Sequence, residues 1–207
     1  NQIVFRCLDR IQGMRKMIGD LLDLTRIESG QKRREIERVD AGDMAESAIE
    51  TLLPDAQARS IAIELHKNGD LALWADKGEL EIILNNLVSN AVKYNKDNGR
   101  VDVLLSRDGE FLTIAVKDTG IGMTRDEAAK LFNDFVRIKN SSTSGILGSG
   151  LGLSIVKKLA MLYEGKVKVE SEPGEGSTFT VTLKDTAPQQ APTEALAADP
   201  HPASDAP

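Results

Sequence analysis

The stretch ELEIILNNLVSNAVKY, residues 79–94, carries a strong helical pattern. Its large apolar side chains recur every three or four residues, which predicts an α-helix with one buried face. The residues of that face are Leu80, Ile83, Leu84, Leu87 and Ala91. A second face, about a quarter turn away, carries Asn86, Asn90 and Lys93. The segment therefore predicts a helix that joins a hydrophobic core to a polar surface.

The two asparagines on that surface need an explanation, because the asparagine amide competes with backbone hydrogen bonds and asparagine is a poor helix former. One explanation is a site for magnesium and phosphate. An amide oxygen is a hard ligand suited to Mg²⁺, and a lysine ammonium is a point charge for phosphate. The other explanation is a solvated polar edge, and the helix alone does not separate the two.

An Asp-Thr-Gly-Ile-Gly motif at residues 118–122 follows an apolar segment, residues 111–116, that reads as a β-strand. A carboxylate at a strand end can accept a hydrogen bond from the amino group of a nucleobase. The glycines Gly120 and Gly122 allow the backbone to approach a flat ring. Taken alone, the motif is better explained as an ordinary Asp/Gly turn.

The glycine-rich run GSGLGL, residues 148–153, opens a predicted helix at 151–163. The N-terminus of a helix presents free N–H groups and the positive end of a dipole, which suits phosphate. The run is neither a P-loop nor a Rossmann fingerprint. A simple helix-entry turn explains it equally well when no other motif is considered.

Two further segments complete the set of candidate site motifs. Residues 123–147 hold LFNDFVR at 131–137 and the polar run NSSTSG at 140–145, a composition suited to a mobile flap over a site. The aromatic residues of LFNDFVR have plain core packing as their alternative. GEGST, residues 174–178, precedes the last predicted strand and also reads as a hairpin turn.

The remaining pattern predicts one α+β domain with appendages. An amphipathic helix at 3–27 has an apolar face broad enough for more than one neighbour. A basic linker follows at 31–38, then a helix capped by Asp40 that ends near Pro54. Further short strands are predicted at 61–65, 71–74, 101–105, 167–169 and 178–183, and a short helix at 125–132. This order predicts one sheet covered by helices on one face. The tail 186–207 is predicted to be disordered because it lacks large apolar residues.

Composition sets outer limits on function. The 207 residues are 41% hydrophobic and 28% charged, enough for one sizeable core. The net charge of −6 argues against nucleic-acid binding. No apolar run is long enough to span a bilayer, and we recognise no signal peptide. The single cysteine, Cys7, excludes an internal disulfide framework. Because the sequence starts at Asn1, we expect a piece of a longer protein.

The order of the motifs is specific where each alone is not. In that order the sequence resembles the ATP-binding catalytic domains of sensor histidine kinases, which have the GHKL or Bergerat fold. The matching boxes are the N box at 86–94, G1 at 118–122, F at 131–137, G2 at 148–153 and G3 at 174–178. The resemblance covers about 39–185, the predicted catalytic domain. Residues 22–30 also resemble the end of the family's second dimerisation helix, so 1–30 is interpreted as a remnant of it.

The resemblance implies a two-layer sandwich, with helices on one face of a mixed sheet, that binds ATP and Mg²⁺. Asn90 with Asn86 would hold Mg²⁺ against the phosphates, and Lys93 would neutralise phosphate charge. Asn86 and Arg137 would be catalytic, with Arg137 reaching the terminal phosphates. Tyr94 would pack near the adenine. The remaining nucleotide-binding residues implied are Asp118, as acceptor from the adenine amino group, and Gly120, Gly122, Gly148, Gly150, Leu151, Gly152, Leu153, Gly174, Gly176 and Thr178.

The resemblance also implies partners. Family members phosphorylate a histidine on the first dimerisation helix, which is absent from this sequence. His66 ends a predicted strand and His201 lies in the predicted tail, so we predict that the chain alone cannot phosphorylate itself. A homodimer of the full-length protein, a response regulator and a cytoplasmic location are implied. No membrane contact by this fragment is expected, and membrane anchoring of the full-length protein is left open.

Other functions of the same motifs stay open at this stage. One is a nucleotide-sensing regulatory module without phosphoryl transfer. Another is an ATPase of the gyrase or heat-shock-chaperone type, but those enzymes place a glutamate general base where this sequence has Asn86, and an amide cannot take a proton from water. A serine-kinase anti-sigma factor would not be expected to carry the N-terminal helix.

Overall fold

The computed structural model describes residues 2–29, 34–138, 143 and 148–187. The helices within this part of the chain are α1 (Gln2–Ser29), α2 (Ala41–Ala58), α3 (Lys77–Lys93), α4 (Arg125–Ala128) and α5 (Gly152–Leu162). The strands are β1 (Ile36–Asp40), β2 (Ala62–Asn68), β3 (Ala72–Asp76), β4 (Arg100–Asp108), β5 (Phe111–Asp118), β6 (Lys166–Glu172) and β7 (Gly176–Lys184). The His201 region and the polar run 140–145, apart from Thr143, lie outside the described residues.

The main sheet has five strands in the order β2-β4-β5-β7-β6. β2 pairs in parallel with β4 and the other pairs are antiparallel, so the sheet is mixed. The predicted hairpin between β4 and β5 is confirmed, with Asp108 opposite Phe111. Burial alternates along β5 and β7 because successive side chains point to opposite faces. One face is therefore a core and the other is exposed.

Helices α2, α3 and α5 cover the core face of this sheet. The apolar face predicted for α3 is fully buried, with Ile83, Leu84 and Leu87 at 0% exposure. Burying a side chain of this size contributes roughly 1.5–3 kcal/mol, so this stripe fixes the rotation of α3 about its axis. Since the core stripe faces the sheet, the Asn86–Lys93 side of the helix is turned away from it. The predicted α+β fold with helices on one face is confirmed.

The prediction of a single sheet was wrong in one respect. β1 and β3 form a separate two-stranded antiparallel sheet, with Val39 opposite Leu73. Part of the predicted linker 31–38 therefore belongs to a strand. The strand was not predicted because its sequence, IERVD, shows little alternation of apolar and polar residues. Its pairing with β3 and the burial of Val39 against Leu73 stabilise it instead.

Helix α2 also continues beyond its predicted end. Asp40 caps it as predicted, with its carboxylate accepting from the backbone N–H groups of Gly42 and Asp43 at 2.6 and 3.2 Å. Pro54, however, lies inside the helix, which runs to Ala58. A proline in a helix interior normally costs about 3 kcal/mol. Here Pro54 is on the exposed side, while Ala56, in the following turn, is fully buried and holds the last turn to the core.

A buried polar cluster fixes α3 relative to α5. The Arg34 guanidinium donates to the Glu79 carboxylate at 2.7–3.0 Å, at the start of α3. The Tyr163 hydroxyl, at the end of α5, donates to Glu79 at 2.6 Å and accepts from the Asp76 N–H at 3.0 Å. Burial, followed by the contact with Glu79, raises the pKa of Tyr163. Arg34, within the segment predicted to be a linker, thus contacts Glu79 of α3, which also binds Tyr163 at the end of α5.

Helix α1 is only partly covered by the rest of the chain. Leu24 is buried. Other large apolar side chains along the helix are exposed, namely Val4, Ile11, Met14, Met17, Ile18, Leu21 and Leu22. The described part of the chain contains no helix that is both long and apolar enough to cross a lipid bilayer.

Candidate nucleotide site

A cleft with an empty volume of about 940 Å³, including its open mouth, lies between α3, the 118–123 loop and the start of α5. Most of the predicted site residues line it. They are Asn86, Asn90, Lys93, Tyr94, Asp118, Gly122, Arg137, Gly148, Gly150, Gly152 and Leu153. The fold therefore brings together residues from all five motifs that were recognised separately in the sequence, the fifth motif through Ser177.

The polar face of α3 forms one wall of this cleft, opposite the glycine-rich loop that opens α5. The Asn86 amide donates to the Ile82 carbonyl at 2.8 Å, and its oxygen is turned toward Gly152. A Cβ added at Gly152 would overlap that oxygen, so a larger residue there would displace the Asn86 side chain. Lys93 Nζ lies beside Gly148. This polar face therefore lines the cleft and lies against the glycine-rich loop.

The donor set of this wall fits a hard divalent cation. Asn86 and Asn90 are one turn apart on α3 and both line the cleft. Because the Asn86 N–H group is engaged with the helix backbone, its oxygen is the atom directed toward the cleft. Amide oxygens are ligands that Mg²⁺ accepts, usually together with phosphate and water. These two residues would hold the metal.

Asp118 forms the opposite end of the cleft, at the end of β5. Its side chain is 4% exposed and accepts from the backbone N–H of Gly120 at 2.8 Å and from that of Ser177. Burial raises the pKa of this carboxyl from 3.8 to about 6, against the opposing effect of the two N–H groups. Gly176, at φ 116°, leaves no room for a Cβ next to the Asp118 carbonyl. Near pH 7 the cleft thus holds a buried, mostly ionised carboxylate.

This buried carboxylate predicts a pH-dependent cost in stability. A carboxyl whose pKa is raised by folding stabilises the protein fully only below its unfolded pKa of 3.8, and that contribution is lost as the pH rises through about 6. Asp118→Asn has no such dependence. The free energy of unfolding of Asp118→Asn, relative to that of the wild type, should therefore increase by about 2–3 kcal/mol between pH 4 and pH 7.5. Urea unfolding of both proteins across this range measures the difference, and a difference that stays constant with pH contradicts the assignment.

The structure corrects the predicted role of Thr178. Along β7, Ser177 and Phe179 are buried and line the cleft, whereas Thr178 points to the outer face of the sheet. The alternation of side chains along a strand decides this, because a shift of one residue moves a side chain to the other face. Ser177, and not Thr178, therefore lines the cleft.

Four other predicted residues stand behind the cleft rather than on its wall. These are Gly120, Leu151, Gly174 and Gly176. The Gly174 N–H donates to the Ile121 carbonyl at 2.8 Å, which fastens the turn between β6 and β7 to the 118–122 loop. Leu151 is fully buried in the core where α5 begins. Their role in this structure is to hold the backbone that forms the site.

Several residues of the wall were not predicted. They are Asp20, Ile121, Met123, Leu131, Val136, Ile138, Thr143, Ser149, Ser177 and Phe179. The apolar ones lie in or beside the recognised motifs, so their proximity in sequence was an available signal. Asp20 is different, because it comes from α1 and nothing in the pattern of that helix distinguishes it from other acidic residues.

Arg137 approaches the cleft from the segment that follows α4. Its side chain packs beside Gly150, where an added Cβ would meet the arginine stem at 3.0 Å. The same guanidinium is close enough to Tyr94 to act on its pKa, which burial raises and Arg137 lowers. Lys93 and Arg137 therefore bring positive charge to the wall that carries the glycine-rich loop.

Comparison with known proteins identifies the family of this domain. Residues 75–187 match the family described as histidine kinase-, DNA gyrase B-, and HSP90-like ATPases. The chain belongs to this family. The match begins at the end of β3 and includes α3, the Asp118 loop, α5 and the last hairpin, which are the elements that form the cleft.

Within this family the chain is similar to sensor histidine kinases. It is 36% identical over 171 residues to the circadian input-output histidine kinase CikA of Synechococcus elongatus, covering 81% of this chain and 23% of the relative. It is 32% identical over 167 residues to the sensor-like histidine kinase SenX3 of Mycolicibacterium smegmatis, covering 81% and 44%. The chain thus spans less than half the length of these relatives.

A solved structure of a known protein shows the same similarity to histidine kinases. Full-length ShkA in complex with AMPPNP superposes with a TM-score of 0.72 at 30% sequence identity, over 83% of this chain and 36% of ShkA. The chain is therefore the ATP-binding domain of a protein of the sensor histidine kinase type. The predicted fold and family are both confirmed.

Proposed function

We propose that this chain binds Mg-ATP in the cleft and transfers the γ-phosphoryl group to a histidine on a dimerisation helix that this sequence does not include. The observation that carries the proposal is the arrangement of the cleft. The amide and lysine face of α3 stands opposite the glycine-rich start of α5, and a buried carboxylate lies at the other end. One end suits magnesium and phosphates, and the other suits a nucleobase.

The proposed roles follow from these positions. Asp118 accepts from the adenine amino group, and Tyr94 packs near the ring. Lys93 and the backbone around Gly148 and Gly150 neutralise and hold the phosphates, with the N-terminal end of α5 adding its dipole. Arg137 reaches the terminal phosphate. The bound Mg²⁺ would supply neutralisation of the phosphate charge.

Transfer in such a site depends on positioning and charge neutralisation. The lone pair of a neutral imidazole nitrogen forms the new P–N bond while the bond from the γ-phosphorus to the bridging oxygen breaks, and ADP keeps that electron pair. A nucleophile of this kind needs no carboxylate to activate it. Asn86, at the position where hydrolytic relatives carry a glutamate, therefore favours transfer over attack by water.

The proposed acceptor is not one of the histidines of this chain. His66 lies on the exposed face of the sheet, in contact with Asp102 at 3.3 Å, whereas the cleft opens on the helical side. His201 lies outside the described residues. We therefore propose that the chain alone does not label itself.

The proposed partners are those of a two-component system. The exposed apolar side of α1 supports a role as part of a dimerisation hairpin, in a homodimer of the full-length protein. A response regulator would receive the phosphoryl group. A cytoplasmic location, with no nucleic-acid partner and no membrane contact by this fragment, completes the proposal.

Selection of the base tests the nucleotide part of the proposal. Mg-ATP should bind at least about tenfold more tightly than Mg-GTP, because a carboxylate accepts from the adenine amino group but faces the acceptor oxygen of guanine. Calorimetry with both nucleotides at pH 7.5 measures the ratio. Asp118→Asn should narrow it, since an amide can also donate. Equal affinities of the wild type for ATP and GTP contradict the role given to Asp118.

A further inference from the structure

Helix α1 is docked on α5 along a single stripe of residues. Asp20, Leu24, Ile27 and Glu28 are spaced at helical intervals and share one side of α1. Leu24 is 6% exposed, and Ile27 packs against the same core. The Glu28 carboxylate forms an ion pair with Lys158 of α5, with Nζ and Oε1 2.5 Å apart. The stripe is therefore an apolar contact with an acidic residue at each end.

The acidic residue at the other end, Asp20, lies within the cleft. Its carboxylate accepts a hydrogen bond of 2.5 Å from the Ser149 hydroxyl. The Ser149 oxygen in turn accepts from the Leu151 N–H, at the start of α5, at 3.2 Å. Asp20 is half-buried and lines the same cleft as Asn86, Asn90 and Lys93. A negative charge of the protein itself thus stands at the glycine-rich loop.

The surroundings of that loop are those of an anion site. Lys93 Nζ lies beside Gly148, and Arg137 packs beside Gly150. The N-terminus of α5 adds the positive end of its dipole. Asp118, the other carboxylate on the cleft wall, is at the opposite end, at the end of β5. The carboxylate of Asp20 therefore occupies the neighbourhood in which the terminal phosphate of a bound nucleotide is needed.

We propose that Asp20 makes the docking of α1 and the binding of the ATP γ-phosphate mutually unfavourable. The inference rests on the proposed function, which places phosphates at this loop. A third phosphate brings its negative charge against Asp20, whereas ADP lacks that charge. Docked α1 therefore favours ADP over ATP, and ATP in turn loosens α1. A helix that carries part of the dimerisation surface is thereby released when ATP is bound.

Replacing the charge of Asp20 tests this inference. Two like charges about 4 Å apart in water repel by about 1 kcal/mol, which corresponds to about a fivefold change in affinity. Asp20→Asn should therefore improve the ATP affinity relative to the ADP affinity by about fivefold or more, measured by calorimetry at low salt with Mg²⁺. Asp23→Asn is the matched control, because it makes the same change of charge on α1 at a residue that does not line the cleft. The ratio of ATP affinity to ADP affinity in Asp23→Asn should equal that of the wild type.

Hydrogen exchange in residues 17–28 gives a second measurement. In the wild type, exchange should be faster with an ATP analogue than with ADP, and Asp20→Asn should reduce that difference. An unchanged or lowered ATP-to-ADP affinity ratio in Asp20→Asn overturns the inference, and a lowered ratio identifies Asp20 as a partner of the nucleotide-bound magnesium. If the wild type and the variant bind neither nucleotide, the proposed function itself fails.

Discussion

Asn90→Ala is expected to weaken the binding of Mg-ATP by about a hundredfold and to leave the fold intact. Asn90 stands on the cleft wall, one turn from Asn86, and it is outside the apolar core stripe of α3. Without its amide oxygen the metal keeps Asn86 as its only proposed protein ligand. A hundredfold loss corresponds to about 2.7 kcal/mol, a plausible size for a charge-assisted contact to a cation. Calorimetry of ATP binding, in the presence of Mg²⁺ and in the presence of a chelator, measures this loss of affinity.

Asn85→Ala provides a matched control for this result. Asn85 is on the same helix and is partly exposed to a similar degree, but it does not line the cleft. The substitution is chemically identical and changes helix propensity by the same amount. Mg-ATP affinity that is unchanged in a folded Asn90→Ala protein, or that falls equally in both variants, contradicts the magnesium assignment.

The part of the fold that could be predicted is the part where one physical signal dominates. The period of apolar residues in 79–94 specified both the existence of α3 and its buried face, and the polar face then had to lie elsewhere. The hairpin of β4 and β5 was predicted for a similar reason, since a turn motif separates two apolar strands. Such elements need only local information.

The elements that were missed depend on contacts between distant residues. β1 has little apolar pattern of its own and exists through its pairing with β3. Pro54 lies inside α2 on its exposed side, and the helix continues to Ala58 with Ala56 buried against the core. Thr178 was predicted to line the cleft, but Ser177 does so, which shows that a motif can be recognised while one residue is assigned to the wrong face of its strand. A strand fixes that face only once its register with β5 is known.

Asp20 shows the limit of a motif-based prediction. The carboxylate belongs to the cleft only because α1 folds back onto α5, and residues 20 and 149 are far apart in the sequence. The cleft also shows a cost of function, since Asp118 is buried at a site where ionisation is disfavoured. A protein without a nucleotide to bind would be more stable with a neutral residue there.

Phosphoryl transfer to a supplied acceptor is the second large effect that we expect. The chain is incubated with γ-labelled Mg-ATP and a helical hairpin from the full-length protein whose first helix carries the acceptor histidine. The hairpin should become labelled, because the proposed site would hold the phosphates and the hairpin would supply the in-line nucleophile. Asn90→Ala should reduce labelling to background, and Asn85→Ala should match the wild type.

The chemical stability of the labelled product tests the central claim most directly. The account predicts a label on the hairpin that is lost in acid and retained in base, as expected of a phosphoramidate, and no label on the chain alone. A stable label on the chain itself would contradict the claim that its acceptor lies elsewhere. Tight Mg-ATP binding with no transfer to an intact acceptor hairpin would contradict the kinase and favour a nucleotide-sensing module.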